Sequence, residues 1–162
     1  ALPIYYDGES VMKWSKQNWG ALVSLKAEYA PLLERPDVLP AADYERLVEC
    51  EANFWPVGSR TIPGAAKADS DYDYLVLTRE RIPEEYDDLG YDIFSGDGHY
   101  DPSEGSFNSW RKGEVNLIAT DCARFAHKFL LANSVAKSLL LLKRSERVTV
   151  FRAILYGEQS ND

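Results

Sequence analysis

The segment Ser70-Asp71-Tyr72-Asp73-Tyr74-Leu75-Val76 constrains the fold more than any other. Its acids and tyrosines alternate, and a β-strand points successive side chains to opposite faces. Asp71 and Asp73 therefore share one face, while Tyr72 and Tyr74 face the opposite layer. Two carboxylates side by side repel each other unless a cation joins them. Magnesium suits such a pair, because it takes hard oxygen ligands in octahedral geometry and is completed by water and substrate phosphates. Upstream, the run Trp55-Pro56-Val57 ends in Gly58-Ser59-Arg60. Glycine there lets backbone approach a phosphate with no Cβ in the way, and Ser59 adds a hydroxyl and an N–H. Arg60 and Lys67 lie in the spacer before Asp71 and are cations suited to phosphate oxygens, Arg60 through a bidentate fork.

The rest of the chain supplies a frame for these residues. Between Val11 and Ala30, Trp14, Trp19, Leu22, Val23 and Leu25 recur at helical spacing, with Gly20 as an interior weakness. After Pro31, Pro36 and Pro40, the stretch from Ala41 to Ala52 reads as a second helix feeding the strand that ends at Gly58. Lys112 to Thr120 predicts a further strand, β-branched and apolar after a glycine and before a polar turn. From Cys122 to Leu142 a broad apolar stripe (Phe125, Phe129, Ala132, Ala136, Leu139) predicts a covering helix. A last helix runs from an N-cap near Ser145 to Gly157. The expected class is α+β: a small mixed sheet flanked by helices, with helices at the C-terminal end. A length of 162 residues suits one domain, read as 1–162 with its core over about 41–120 and its helical part over about 121–157.

Charge is uneven along the chain. Between Glu80 and Glu104 nine acids face one base, Arg81, so the whole net charge of −8 lies in that stretch. Glycines and prolines mark it as a loop-rich insertion over about 80–104, which Tyr86, Tyr91, Phe94 and Tyr100 are placed to anchor. An acidic stretch is commonly only solvated surface. The functional alternatives are a lid or a docking face for a basic protein partner. Long nucleic acid is an unfavourable ligand, because polynucleotide affinity comes largely from phosphate neutralisation. Lys137, Lys143, Arg144, Arg147 and Arg152 offer at most a modest basic patch.

Residue types exclude other chemistries. Cys50 and Cys122 show neither metal spacing nor a disulfide pattern and read as reduced packing residues. His127 lies in a helical segment and reads as structural, and no nucleophile triad can be assembled. Leu139 to Leu142 is far shorter than the roughly 18 apolar residues of a membrane span. With no secretory signal visible at Ala1 to Asp7, a cytoplasmic location is expected.

A strand ending in Gly58-Ser59, a spacer through Gly64-Ala65, and Asp71-Tyr72-Asp73 flanked by apolar residues together resemble the signature of the DNA polymerase β-like nucleotidyltransferase superfamily. The likeness covers roughly Ala52 to Thr120. The run Arg111-Lys112-Gly113-Glu114-Val115-Asn116-Leu117-Ile118 also resembles small stand-alone nucleotidyltransferase-like proteins encoded by bacteriophages, which would place the chain in a host cytoplasm. The resemblance implies the nucleotidyltransferase fold and a third carboxylate on a strand beside Asp71 and Asp73. Glu114 is the expected third acid, and Asn116, on the same face, is the fallback.

The implied activity moves a nucleoside monophosphate from a nucleoside triphosphate, such as ATP, to a hydroxyl and releases pyrophosphate. The implied cofactor is a pair of Mg2+ or Mn2+ ions, bridged by Asp71 and Asp73, with Glu114 holding the ion that activates the hydroxyl. Gly58, Ser59, Arg60 and Lys67 would meet the phosphates. The acceptor is a small molecule, a protein hydroxyl or a nucleic-acid end. Two alternatives stand beside this expectation. One is a non-catalytic acidic binding or inhibitor protein on the same fold. The other is a pyrophosphokinase of the alarmone synthetase type, which the run from Glu114 to Thr120 faintly resembles, although it lacks that family's strand arginine.

Overall fold

The computed structural model describes residues 4–6, 12–94 and 107–157, with side chains from Trp19 onward. In chain order the elements are β1 (Ile4–Tyr6), β2 (Met12–Ser15), α1 (Lys16–Glu28), α2 (Ala41–Glu49), β3 (Asn53–Val57), a 3-10 turn (Ser59–Thr61), β4 (Tyr72–Leu77), α3 (Pro83–Asp88), β5 (Asp92–Phe94), β6 (Phe107–Lys112), β7 (Val115–Thr120), α4 (Ala123–Ser138) and α5 (Arg144–Tyr156). The architecture is α+β. Five strands form a mixed sheet in the order β3-β4-β7-β6-β5, and β1 pairs with β2 in a separate antiparallel ribbon. Within the large sheet only β4 and β7 run parallel. Pro56 is tolerated because β3 is an edge strand, where a missing N–H breaks no central ladder.

Both faces of the sheet are covered, and the alternation along each strand explains why. On one face Leu75 and Leu77 of β4, Ile118 of β7, Phe107 of β6, and Trp55 and Val57 of β3 are buried under α1, α4 and α5. Phe125 stacks on Phe107 with ring centroids 5.0 Å apart, and Phe129 meets Phe151 edge to face at 4.9 Å. On the opposite face Tyr74, Val76, Val115, Leu117 and Phe54 pack with Leu47 of α2, Tyr86 of α3 and Tyr91. Each large apolar side chain so buried contributes about 1.5–3 kcal/mol relative to exposure.

Several elements differ from the sequence expectation. The helix expected over Val11–Ala30 starts only at Lys16, because Met12–Ser15 pairs with Ile4–Tyr6 and so becomes a strand. The last helix is capped at Lys143 rather than Ser145 and ends, as expected, at Gly157 in the left-handed conformation. The acidic stretch is not merely loop: it holds α3 and β5, and its Tyr86 and Tyr91 are buried anchors. Tyr86 stacks on Trp110 at 5.4 Å, and the Tyr91 hydroxyl donates to the buried Asp43 carboxylate at 2.8 Å. Lys112 joins the same acid at 3.0 Å. Tyr100 and the rest of the stretch from Ser95 to Glu104 lie outside the described residues.

Cys50 and Cys122 are free thiols at the ends of α2 and α4. His127 is half-exposed and meets Glu28 of α1 at 2.7 Å, a structural tie between helices. Among the described residues no helix is long and apolar enough to cross a membrane.

Candidate functional site

The ladder fixes which polar residues meet. Parallel pairing of β4 with β7 sets Asp73 beside Asn116, and antiparallel pairing of β7 with β6 sets Asn116 beside Arg111. Asp73, Asn116 and Arg111 thus form one row across the sheet, on the face that carries Leu75 and Ile118 further along. Asp71, immediately before β4, belongs to the same face by alternation. The contacts agree with the register. Asn116 Nδ2 donates to Asp73 Oδ1 at 3.1 Å, and Arg111 Nη2 donates to Asp71 Oδ2 at 2.7 Å. The Arg111 guanidinium also lies 4.0 Å over the Phe94 ring. Two atoms of the row, Asn116 Oδ1 and Arg111 Nε, are buried without a hydrogen-bond partner.

The glycine turn closes on this row. Gly58 has φ 83° and ψ −164°, a region open essentially only to glycine. A Cβ built there would overlap Asp73 Oδ2. Glycine is therefore required twice, by the backbone and by the carboxylate against it. Asn133, buried within the apolar face of α4, holds the turn from behind. Its Oδ1 accepts from Gly58 N–H at 2.9 Å, and its Nδ2 donates to Thr61 Oγ1 at 3.1 Å. The Gly58 N–H is thus committed inside the protein rather than presented to a ligand. Asn133→Ala would leave the part-buried Gly58 N–H without its partner, while Thr61 Oγ1 keeps its bond to Gly58 O at 2.7 Å, so a loss of about 1–2 kcal/mol is expected in urea denaturation. A loss below ~0.5 kcal/mol would show that the turn does not depend on this amide.

Burial changes the chemistry of Asp73. Its carboxyl is pushed up to about 6, chiefly by desolvation and further by the like charge of Asp71; the hydrogen bond from Asn116 and the positive charges of Arg111 and Arg144 pull the other way. Two carboxylates with an amide oxygen beside them are hard oxygen donors, and the chemistry of that set fits a divalent ion completed by phosphate and water. Among the described residues no group of three His, Cys, Asp or Glu side chains is placed to hold a metal.

The other expected site residues fall as follows. Glu114 occupies the β6–β7 turn after Gly113, whose φ of 60° suits the first position of a tight hairpin. Its carbonyl accepts from Tyr72 N–H at 2.8 Å, so its backbone lies beside Asp71, but its side chain is exposed. Arg60 turns to the tyrosine face. It stacks 3.9 Å over the Tyr72 ring and donates to Ser70 O at 2.7 Å and Ala68 O at 3.3 Å, tying down the loop that delivers Asp71. Lys67 is exposed in that loop, and its backbone N–H donates to Ser70 Oγ at 2.8 Å. Ser59 opens the 3-10 turn directly after Gly58.

Asn133 and Arg111 are the residues that motif reading missed. A lone amide in the stripe of Phe129, Leu130, Ala132 and Ala136 was the available signal for the first. For the second, the signal was a basic residue two places after the buried Ser109, on the same face of β6. No family model, curated protein or solved structure matches the chain, so the functional reading rests on the site itself.

Proposed function

We propose that this chain is a metal-dependent nucleotidyltransferase whose centre is Asp71 and Asp73. The observation that carries the reading is the fit of the Gly58 turn against the Asp73 carboxylate, with Asp71 on the same face. The glycine turn and the carboxylate pair thereby share one wall. A divalent ion held by Asp71 and Asp73, with Asn116 beside them, would supply Lewis-acid stabilisation of charge on the triphosphate. Gly58 and Ser59 would border the phosphate chain, and Lys67 is exposed nearby to neutralise it. Arg60 acts one step back, by holding the 68–70 loop. In the reaction an acceptor hydroxyl oxygen bonds to the α-phosphorus, the bond to the pyrophosphate oxygen breaks, and the hydroxyl proton leaves to base or solvent. The acceptor class is a small molecule, a protein hydroxyl or a nucleic-acid end, in keeping with a net charge of −8.

One observation favours the second reading, a non-catalytic binding protein on the same fold: the Arg111–Asp71 ion pair already provides the carboxylates with a cation from within the chain.

Incubation with Mg2+ or Mn2+ and each triphosphate labelled at the α-phosphate separates the readings. The wild type is expected to yield a labelled acceptor, and Asp71→Ala with Asp73→Ala to lose at least about 1,000-fold in rate, as when metal-borne charge stabilisation is removed. Triphosphate bound without transfer would support the non-catalytic reading. Transfer of the β,γ-pyrophosphate alone would assign the alarmone-type reaction instead.

A further inference from the structure

We propose that the turn between α4 and α5 is a docking surface for a bilayer that carries acidic headgroups. The turn runs from Leu139 to Lys143. Of its four consecutive leucines only Leu141 packs against the core, while Leu139, Leu140 and Leu142 are 62%, 57% and 51% exposed. Single surface leucines are ordinary, but three within four residues make a patch. Leu140 is also held under strain. α4 ends in a Schellman motif, in which Leu140 N–H donates to Lys137 O at 3.1 Å and Leu141 N–H to Ala136 O at 3.0 Å. The left-handed position of that motif is ordinarily glycine, and here it is Leu140 with φ 51°. Its side chain lies mostly in solvent, so core burial does not offset the strain.

Charge names the occupant. From Lys137 to Arg147 the chain carries four bases (Lys137, Lys143, Arg144, Arg147) against one acid, Glu146. Lys137 and Lys143 are exposed on either side of the leucines, placed to meet acidic headgroups while the leucines enter the acyl boundary. Arg144 is turned to the candidate site instead, where its positive charge bears on Asp73. Arg147 stiffens the turn, its Nη1 donating to Leu141 O at 2.9 Å and to Leu142 O at 2.7 Å. Those two carbonyls are thereby satisfied within the protein, as contact with hydrocarbon requires. A nucleic acid would leave the leucines unused. A folded protein would need a groove cut to this convex chain reversal, whereas a bilayer yields to it. The acids of α3 do not oppose the contact: α3 packs on the other face of the sheet from α4 and α5, and exposed charges are screened beyond about 8 Å.

Co-sedimentation with two sets of vesicles tests the surface, one of phosphatidylcholine alone and one mixed with phosphatidylserine. The wild type is expected to sediment with the mixed vesicles, much less with the neutral ones, and less as salt rises. Lys137→Gln combined with Lys143→Gln should weaken binding by at least about tenfold. Leu140→Gly should also weaken it by about tenfold, yet raise the urea midpoint, because glycine takes the left-handed position without strain. A fall in binding with a rise in stability separates a docking side chain from a structural one. Equal binding to both vesicle sets, or binding unchanged in both variants, would overturn the proposal, as would a wild type that binds neither set. A wild-type dimer in sedimentation velocity that Leu140→Gly abolishes would assign the leucines to a second copy of the chain and overturn it likewise. The measurements use no nucleotide, so their outcome stands apart from that of the transfer assay.

Discussion

Gly58→Ala is expected to lose roughly 3 kcal/mol or more of stability, since a side chain in the glycine-only region costs about 1–3 kcal/mol before any collision is counted. The collision is specific: the new Cβ overlaps Asp73 Oδ2 and crowds Asp73 Cγ and Cβ, so either the Asp73 carboxylate leaves its bond from Asn116 or the turn that Asn133 holds must shift. Gly20→Ala is the matched control. Nothing lies within 4 Å of its Cβ position, and it sits inside α1 on an exposed face. That substitution should raise stability by about 0.5–1 kcal/mol through helix propensity alone. Urea denaturation reads both. Equal effects at the two glycines would remove the special role given to the Gly58 turn.

Asp73→Asn should have the opposite sign to most substitutions at a half-buried position. The folded carboxyl titrates at about 6 against an ordinary value of 3.8, so the native state binds its proton more tightly than the unfolded chain does. For such a group stability falls as pH rises. The cost is absent below 3.8, grows through the window up to about 6, and is complete above it. At neutral pH the charge therefore costs about 2 kcal/mol, taking 1.36 kcal/mol per pKa unit and discounting for partial access to solvent. Asparagine keeps the shape and can still accept from Asn116, so the variant should be more stable than the wild type by about that amount at pH 7.5. The difference should vanish near pH 3.5. A variant less stable at every pH would mean that the Asp73 charge is fully compensated by Arg111 and Arg144. A destabilising charge retained at a half-buried position is what a site kept for binding rather than for folding would show.

How much of this was legible beforehand depends on the range of the interaction. Alternation placed Asp71 and Asp73 on one face of β4 and the tyrosines on the other, because strand geometry is local. The helical stripes of α4 and α5 were legible for the same reason. The ribbon of β1 with β2 was not, since Met12–Ser15 becomes a strand only through a partner that helical spacing ignores. The assignment of Glu114 to the sheet failed at a boundary: Gly113 makes a tight turn, so the strand begins at Val115 and Asn116 is the residue set beside Asp73. Arg60 and Arg111 show the limit for cations. Both precede or follow a motif closely enough to be phosphate ligands, yet register sends Arg60 to the Tyr72 face and Arg111 to Asp71.

Equilibrium dialysis of labelled nucleoside triphosphate against wild type and Asp73→Asn, with Mg2+ and with a chelator, tests most directly whether the Asp71–Asp73 pair is a metal–triphosphate site. The variant suits the purpose because it is expected to be folded and more stable than its parent. Binding by the wild type only with Mg2+, and its loss in Asp73→Asn, is the predicted result. Equal binding by the two proteins, or wild-type binding unaffected by the chelator, would contradict it.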